Sequence, residues 1–88
     1  MKQTKPNVWD IVIVYWVDSS GVGSWTDAHT VYKDEHISKC WTTGFYFGES
    51  EECVRVVSSA SANESVDHIM YIPKVCVKRI QTIKRGKK

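Results

Sequence analysis

The stretch "YIPKVCVKRI", residues 71–80, decides which fold this 88-residue chain can adopt. A basic helix for nucleic acid would place Pro73 one turn inside the helix, where proline removes a hydrogen bond and clashes with the preceding turn. The residues before it, "HIMYI", are rich in the types that favour strands. We therefore predict that a strand ends at Ile72, that the chain turns at residues 73–76 and that a new strand begins at Val77.

Length and composition indicate one small folded domain. The chain is too short for a second domain, and an apolar fraction of 42% is sufficient for a core. Three cysteines, an odd number at wide spacing, and the absence of a leading apolar segment favour a reduced, cytoplasmic location. The longest apolar run, Ile11 to Val17, is seven residues. A membrane helix needs about 20, so we expect no membrane association.

Charge is distributed unevenly along the chain. Eight of the twelve Lys and Arg residues lie at the two ends, and all ten carboxylates lie between residues 9 and 77 together with the other four basic residues. That middle segment therefore carries a charge of −6, four minus ten, although the whole chain is at +2. We expect an acidic body with basic ends.

Hydrophobic periodicity places the remaining elements. Thr26 or Asp27 is a suitable N-cap for a short helix, and the strand before that helix is apolar enough to be buried on nearly both faces. The charged turn "GESEE" between two strands predicts a hairpin. The predicted strands are "VWDIVIVYWVDSS" (8–20), "SKCWTTGFYFG" (38–48, with Trp41, Thr43, Phe45 and Phe47 on one face), "CVRVVSSA" (53–60), "VDHIMYIP" (66–73) and the segment from Val77.

These elements predict a mainly β fold, a small barrel of about five strands with one short α-helix after the first strand. We expect a flexible arm at residues 1–7, a single β-barrel domain at residues 8–83 and a basic tail at residues 84–88.

Residues that could support catalysis or bind a metal are few. His29, His36 and Cys40 form the closest cluster of possible ligands, but their spacing matches no zinc site, so we predict no metal. Cys53 and His68 could form a nucleophile and base only if the fold brought them together, and nothing in the sequence does so. We expect no catalytic residue and no cofactor.

The loop "SSGVGSWTD" (19–27) is the most suggestive binding segment. Small residues that open a helix can cradle an anion, although this loop lacks the lysine and the spacing of a P-loop. Trp16 and Trp25 bracket it, and an indole is a good stacking partner for a base. The loop is either a ligand-binding segment or a plain connection.

The basic tail suggests nucleic acid as an alternative ligand, because clustered Lys and Arg release counterions from phosphate. The tail carries no aromatic residue, whereas a stacking groove interleaves aromatic and basic groups. We therefore rank nucleic-acid binding through the tail below binding through the aromatic loop.

The turn at residues 71–80 resembles the end of Src-homology-3-like barrels, in which a similar Ile-Pro step leads through one 3₁₀ turn into the last strand. The matching residues are Ile72, Pro73 and Val77. The Ala-Leu-Tyr-Asp-Tyr stretch with which that family binds proline-rich peptides is absent. The resemblance thus implies the fold and not peptide binding.

A longer pattern is similar to that of small, mostly uncharacterised tailed-phage proteins. It consists of Trp-x-Asp-Ser, a later Trp, a strand that joins Gly to aromatic residues, and Ile-Pro-Lys before a final Ile. The matching residues are Trp16, Asp18, Ser19, Trp25, Gly44, Ile72, Pro73, Lys74 and Ile80.

This resemblance implies a phage accessory protein that binds a host component without catalysis. Counter-defence is one such role, either by sequestering a nucleotide-type immune signal or by inhibiting a host defence protein. We expect the partner to be a host protein or a small nucleotide-type ligand in the host cytoplasm, and a homo-oligomer is an open alternative. The candidate ligand-binding residues are Trp16, Asp18, Ser19, Trp25, Trp41 and Lys74.

Overall fold

The computed structural model describes residues 5–21 and 23–86. The chain is mainly β, with one short α-helix after the first strand and a 3₁₀ turn before the last. The elements are β1 (Ile11–Ser19), α1 (Ala28–Lys33), β2 (Ile37–Glu49), β3 (Cys53–Ala60), β4 (Val66–Pro73), the 3₁₀ turn (Lys74–Cys76) and β5 (Val77–Lys84). The predicted class, the five strands and the helix with Asp27 as its N-cap are confirmed. In the described residues no helix is long and apolar enough to cross a membrane.

The five strands form one antiparallel sheet in the order β4-β3-β2-β1-β5. The first four strands follow one another in order across the sheet, and the 3₁₀ turn then carries the chain from β4 back to the free edge of β1. The strand, turn and strand predicted around Pro73 are confirmed. In the described residues no ladder joins the two edge strands, so closure of this sheet into a barrel stays a prediction.

The core cluster lies on one face of the sheet, although Val57 of β3, which pairs with Phe45, is completely buried on the opposite face. Val12 and Val14 of β1 are completely buried in this cluster, whereas Ile11, Ile13 and Tyr15 on the other face are half-buried. The first strand is thus buried on one face only, and the prediction of burial on nearly both faces is wrong. The other core residues are Tyr46, Val54, Val56 and Ile72, with Trp16, Val77 and Ile80 packed against them.

On β2, the side chains that enter the core lie on the face with fewer aromatic residues. Tyr46 is buried, and Gly44 lies two residues before it on the same face. A Cβ atom on Gly44 would lie 2.5 Å from the carbonyl oxygen of Val57 and 2.9 Å from a methyl group of Val56. Glycine is therefore required here because β3 crosses close to the β2 backbone.

A buried carboxylate joins the two ends of the described chain. The side chain of Asp10 accepts hydrogen bonds from the amide of Asn7 at 2.9 Å, the amide of Gly86 at 2.8 Å and the guanidinium of Arg85 at 2.9 Å. These bonds compensate for burying the charge. Pro6 is also buried, so residues before β1 pack against the sheet as well. The boundaries proposed at residues 7 and 84 stay predictions, and residues 1–4 and 87–88 lie outside the described chain.

The connection between β1 and β2 extends away from the core. Its helix α1 buries no residue, and Trp25 and Tyr32 are almost completely exposed. The Cα radius of gyration is 16.6 Å, whereas a compact domain of this length would have about 12 Å. The extended connection accounts for a molecule 54 Å long and only 22 Å thick.

Replacing Gly44 by alanine should destabilise the domain. The new methyl group would overlap the β3 backbone, and overpacking of this kind costs about 1–3 kcal/mol in the free energy of unfolding. Gly21→Ala is the matched control, because a Cβ there meets nothing within 4 Å. Urea unfolding measures both, and equal midpoints for the two variants would contradict the close approach of β3.

Acid should weaken the domain through Asp10. Its hydrogen bonds to the amides of Asn7 and Gly86 lower its folded-state pKa below the ordinary 3.8. The stabilisation is therefore present above pH 3.8 and is lost as the pH falls through the lowered pKa. Asp10→Asn should reduce stability at neutral pH and flatten the profile of stability between about pH 5 and 2. Glu49, whose pKa is also lowered by its bond to Lys74, should leave a residual slope. An unchanged profile would contradict the role of Asp10.

Candidate functional site

A large cleft lies in the connection between β1 and β2. It measures about 690 Å³ and is wide open to solvent. The indole of Trp25 lines it, and the hydroxyl of Ser20 closes one end by donating to the carbonyl oxygen of His36 at 2.8 Å. The other described residues around it are Gly21, Gly23, Ser24, Thr26, Val31 and Asp34.

The charge of this cleft does not suit an anion. None of its described lining residues is Lys or Arg, and its histidine, His36, lies 3.5 Å from the carboxylate of Asp34. The N-cap carboxylate of Asp27 already accepts from the amide of Thr30 at 3.3 Å, and α1 is only six residues long. The cleft therefore offers an indole and hydroxyl groups, without the cationic groups that a phosphate would need.

Trp16 does not belong to the same surface as Trp25. It packs against the core, and its indole N–H donates to the hydroxyl of Thr42 at 2.9 Å. Asp18 and Ser19 are exposed at the end of β1, where the Asp18 carboxylate accepts from the amide of Ser19 at 2.8 Å. Only Trp25 among the candidate residues lines the cleft. Trp16 thus has a structural role in the core, which the sequence interpretation missed.

Lys74 has a partner within the chain. Its ammonium lies 2.9 Å from the carboxylate of Glu49, which also accepts from the hydroxyl of the buried Tyr46 at 2.8 Å. Burial and this hydrogen bond raise the pKa of Tyr46, and the bond to Lys74 lowers that of Glu49. Lys74 therefore anchors the 3₁₀ turn to the end of β2.

Trp41 lies on the face of the sheet opposite the core, and it is 67% exposed. Strand register places Tyr15 directly between Trp41 on β2 and Arg79 on β5. The Arg79 guanidinium lies 4.3 Å from the centre of the Tyr15 ring, and the Tyr15 hydroxyl donates to Gln81 at 3.0 Å. We call this surface of β1, β2 and β5 the outer face.

Sequence reasoning missed the outer face because it treated the basic C-terminal segment as separate from the aromatic body. Once β5 pairs with β1, Arg79 lies beside Tyr15 although 64 positions separate them in sequence. The alternation of residues 79–82 could have indicated which side chains point outward, although the extra residue at Lys78 interrupts the alternation before them. It could not have indicated which strand β5 joins.

The other reactive side chains do not converge. In residues 5–21 and 23–86 no group of three His, Cys, Asp or Glu is placed to hold a metal ion. Cys53 pairs with Pro73 at one end of the β3–β4 ladder, whereas His68 follows Asp67, which pairs with Ser59 near the other end. Cys53 and His68 are therefore not arranged as a nucleophile and base.

Replacing Lys74 by glutamine should lower the stability of the domain. The Lys74–Glu49 pair is partly exposed, so the loss should be at most about 1 kcal/mol in the free energy of unfolding. Urea unfolding measures this loss. Equal unfolding midpoints for the variant and the wild type would show that the Lys74–Glu49 pair does not stabilise the turn.

Comparisons of this chain with protein-family models, with curated proteins and with solved structures find no match. The resemblance to small tailed-phage proteins therefore stays a prediction from the sequence. The function has to be inferred from the exposure, charge and contacts of the residues described above.

Proposed function

We propose that this chain is a non-catalytic phage accessory protein that binds a host protein through the connection between β1 and β2. The exposure of this connection carries the proposal. Trp25, Val31 and Tyr32 present large apolar side chains to solvent in this connection, whose helix α1 buries no residue, and Ile37 does the same at the start of β2.

The short length and exposure of α1 support a partner. Isolated helices shorter than about 12–15 residues are marginal in water, and α1 has six residues with none buried. An aromatic side chain buries about 150–250 Å² in an interface, so Trp25 and Tyr32 together supply about 300–500 Å². That is about half of the roughly 800 Å² that each partner buries in a standard protein interface. Val31 and Ile37 add to this area.

A protein partner fits this surface better than a nucleotide-type signal does. Nucleotide phosphates need cationic or amide donors, and the described lining residues of the cleft include three hydroxyl residues, the carboxylate of Asp34 and one histidine, but no Lys or Arg. Exposed tryptophan and tyrosine are the residues that most often dominate the energy of protein interfaces. Of the two forms of counter-defence, inhibition of a host protein in the host cytoplasm is therefore the one we propose.

Nucleic-acid binding through a free basic tail has less support. Lys84 is the last residue of β5, and Arg85 forms an ion pair with Asp10. Removing residues 84–88 would remove Arg85 and Gly86, two hydrogen-bond partners of the buried Asp10 carboxylate. Loss of binding in that truncation could therefore result from unfolding as well as from a lost contact with nucleic acid.

Trp25→Ala and Tyr32→Ala should abolish binding to the host partner while the sheet stays folded. Both side chains are exposed, so their loss leaves the core unchanged. The tagged wild-type chain is expressed in bacteria, and a host protein that co-purifies with it is identified. That host protein is then purified separately and titrated against the wild type and each variant. Val75→Ala is the matched control, because Val75 is 92% exposed in the 3₁₀ turn, outside this surface.

The expected result is a defined stoichiometry with the wild type and the control and no binding with the two variants. Partner binding by Trp25→Ala and Tyr32→Ala at the wild-type affinity would refute the surface. Native mass spectrometry then gives the oligomeric state of the same samples. If the wild type alone is a dimer and the two variants are monomers, the surface is a contact between two copies, and the proposal of a host partner fails.

A further inference from the structure

The outer face carries a second surface whose chemistry differs from that of the β1–β2 connection. We infer that it binds single-stranded nucleic acid, with bases stacked on aromatic rings and phosphates held by basic residues of β5. This inference goes beyond the proposed function, and its residues lie outside the cleft that contains Trp25.

The first part of the surface is the row formed by Arg79, Tyr15 and Trp41. The three residues lie opposite one another on three adjacent strands, and the Trp41 indole is largely exposed. Lys39 lies two residues before Trp41 on the same face, and it is exposed. Trp41 thus provides an exposed indole for stacking, while the Lys39 ammonium on the same strand and the Arg79 guanidinium on the far side of Tyr15 provide cations for the phosphates.

The second part lies at the other end of the same face. Trp9 contacts Phe45 and Phe47 edge-on, with ring centres 5.9 and 5.3 Å apart. A hollow of about 270 Å³ opens beside Trp9 and Phe45, and its rim includes Lys84. Ile11 pairs with both Phe45 and Lys84, so this hollow is continuous with the outer face.

The two parts are too far apart for one nucleotide. Tyr15 and Ile11 are four residues apart on β1, which corresponds to about 14 Å along a strand. Ile13, Thr43 and Gln81 fill the interval on the same face. The spacing therefore favours a chain of nucleotides lying along β1 over a single bound nucleotide.

Irregularities in β5 occur beside both basic residues. The register against β1 shifts next to Arg79, where Lys78 is the extra residue, and again next to Lys84, where Ile83 is the extra residue. Bulges redirect neighbouring side chains and are common next to binding sites. Between the two parts, the described residues of β1, β2 and β5 on this face include no carboxylate. No negative charge there repels phosphate.

A single strand suits the surface better than a duplex because stacking on Trp41 requires a base whose face is free. A free nucleotide offers the same base and phosphate, but it can occupy only one of the two parts. The length of the bound chain therefore distinguishes the two sources of this chemistry.

Binding is measured by fluorescence anisotropy with a labelled single-stranded oligonucleotide of about 10 residues, against the duplex of the same sequence and a mononucleotide as competitor. Trp41→Ala should weaken binding about tenfold or more through loss of stacking. Arg79→Gln should also reduce the slope of log K against log salt by about 0.7, because one phosphate contact is lost. Trp25→Ala and Lys33→Gln remove an exposed indole and an exposed charge outside the face, and both should bind like the wild type.

Circular dichroism establishes that each variant is folded. The inference is overturned if Trp41→Ala binds the strand unchanged, if Lys33→Gln weakens binding as much as Arg79→Gln, or if the duplex binds as tightly as the single strand. If the mononucleotide competes with the same affinity as the strand, the ligand is a single nucleotide and the inference of a bound strand is wrong. None of these outcomes bears on the host-protein surface, which is tested through Trp25 and Tyr32.

Discussion

Pairing between β5 and β1 is the interaction on which the rest of the structure depends. Without it, β1 would be an edge strand, and Val77 and Ile80 would not pack against the core. The same pairing places Arg79 beside Tyr15 and brings Arg85 and Gly86 to the buried carboxylate of Asp10. One ladder therefore supports the core, the outer face and the attachment of the C-terminal segment.

Much of the fold could be predicted from local patterns, because strands, turns and caps depend on neighbouring residues. Pro73 excludes a helix through residues 71–80, and Asp27 caps α1 as its position suggests. The partner of β5 could not be predicted in the same way, since no local feature of residues 77–84 specifies β1. The face of β2 that enters the core could not be predicted either. Glycine is required at Gly44 because β3 passes close to it, and hydrophobicity at this position gives no sign of that.

The candidate site was harder to predict than the fold. Trp16 and Trp25 are close in sequence and both carry indoles, yet one packs on the core and the other is exposed, because Trp16 lies on the core face of β1 and Trp25 lies in the connection beyond the end of that strand. Lys74 was expected to meet a ligand, and in the structure its ammonium pairs with Glu49. Residue type indicated that tryptophans and lysines matter here, whereas their roles depend on contacts between residues that are far apart in the chain.

The bonds of Asp10 also constrain the order in which this domain can fold. Two of its partners, Arg85 and Gly86, follow it by 75 and 76 residues, whereas β2, β3 and β4 pair with near neighbours in sequence. Contacts between distant residues form slowly because closing the intervening loop costs entropy. We expect β2, β3 and β4 to assemble first. Until β5 pairs with β1, one edge of β1 would lack a partner strand, and the Asp10 carboxylate would be hydrated.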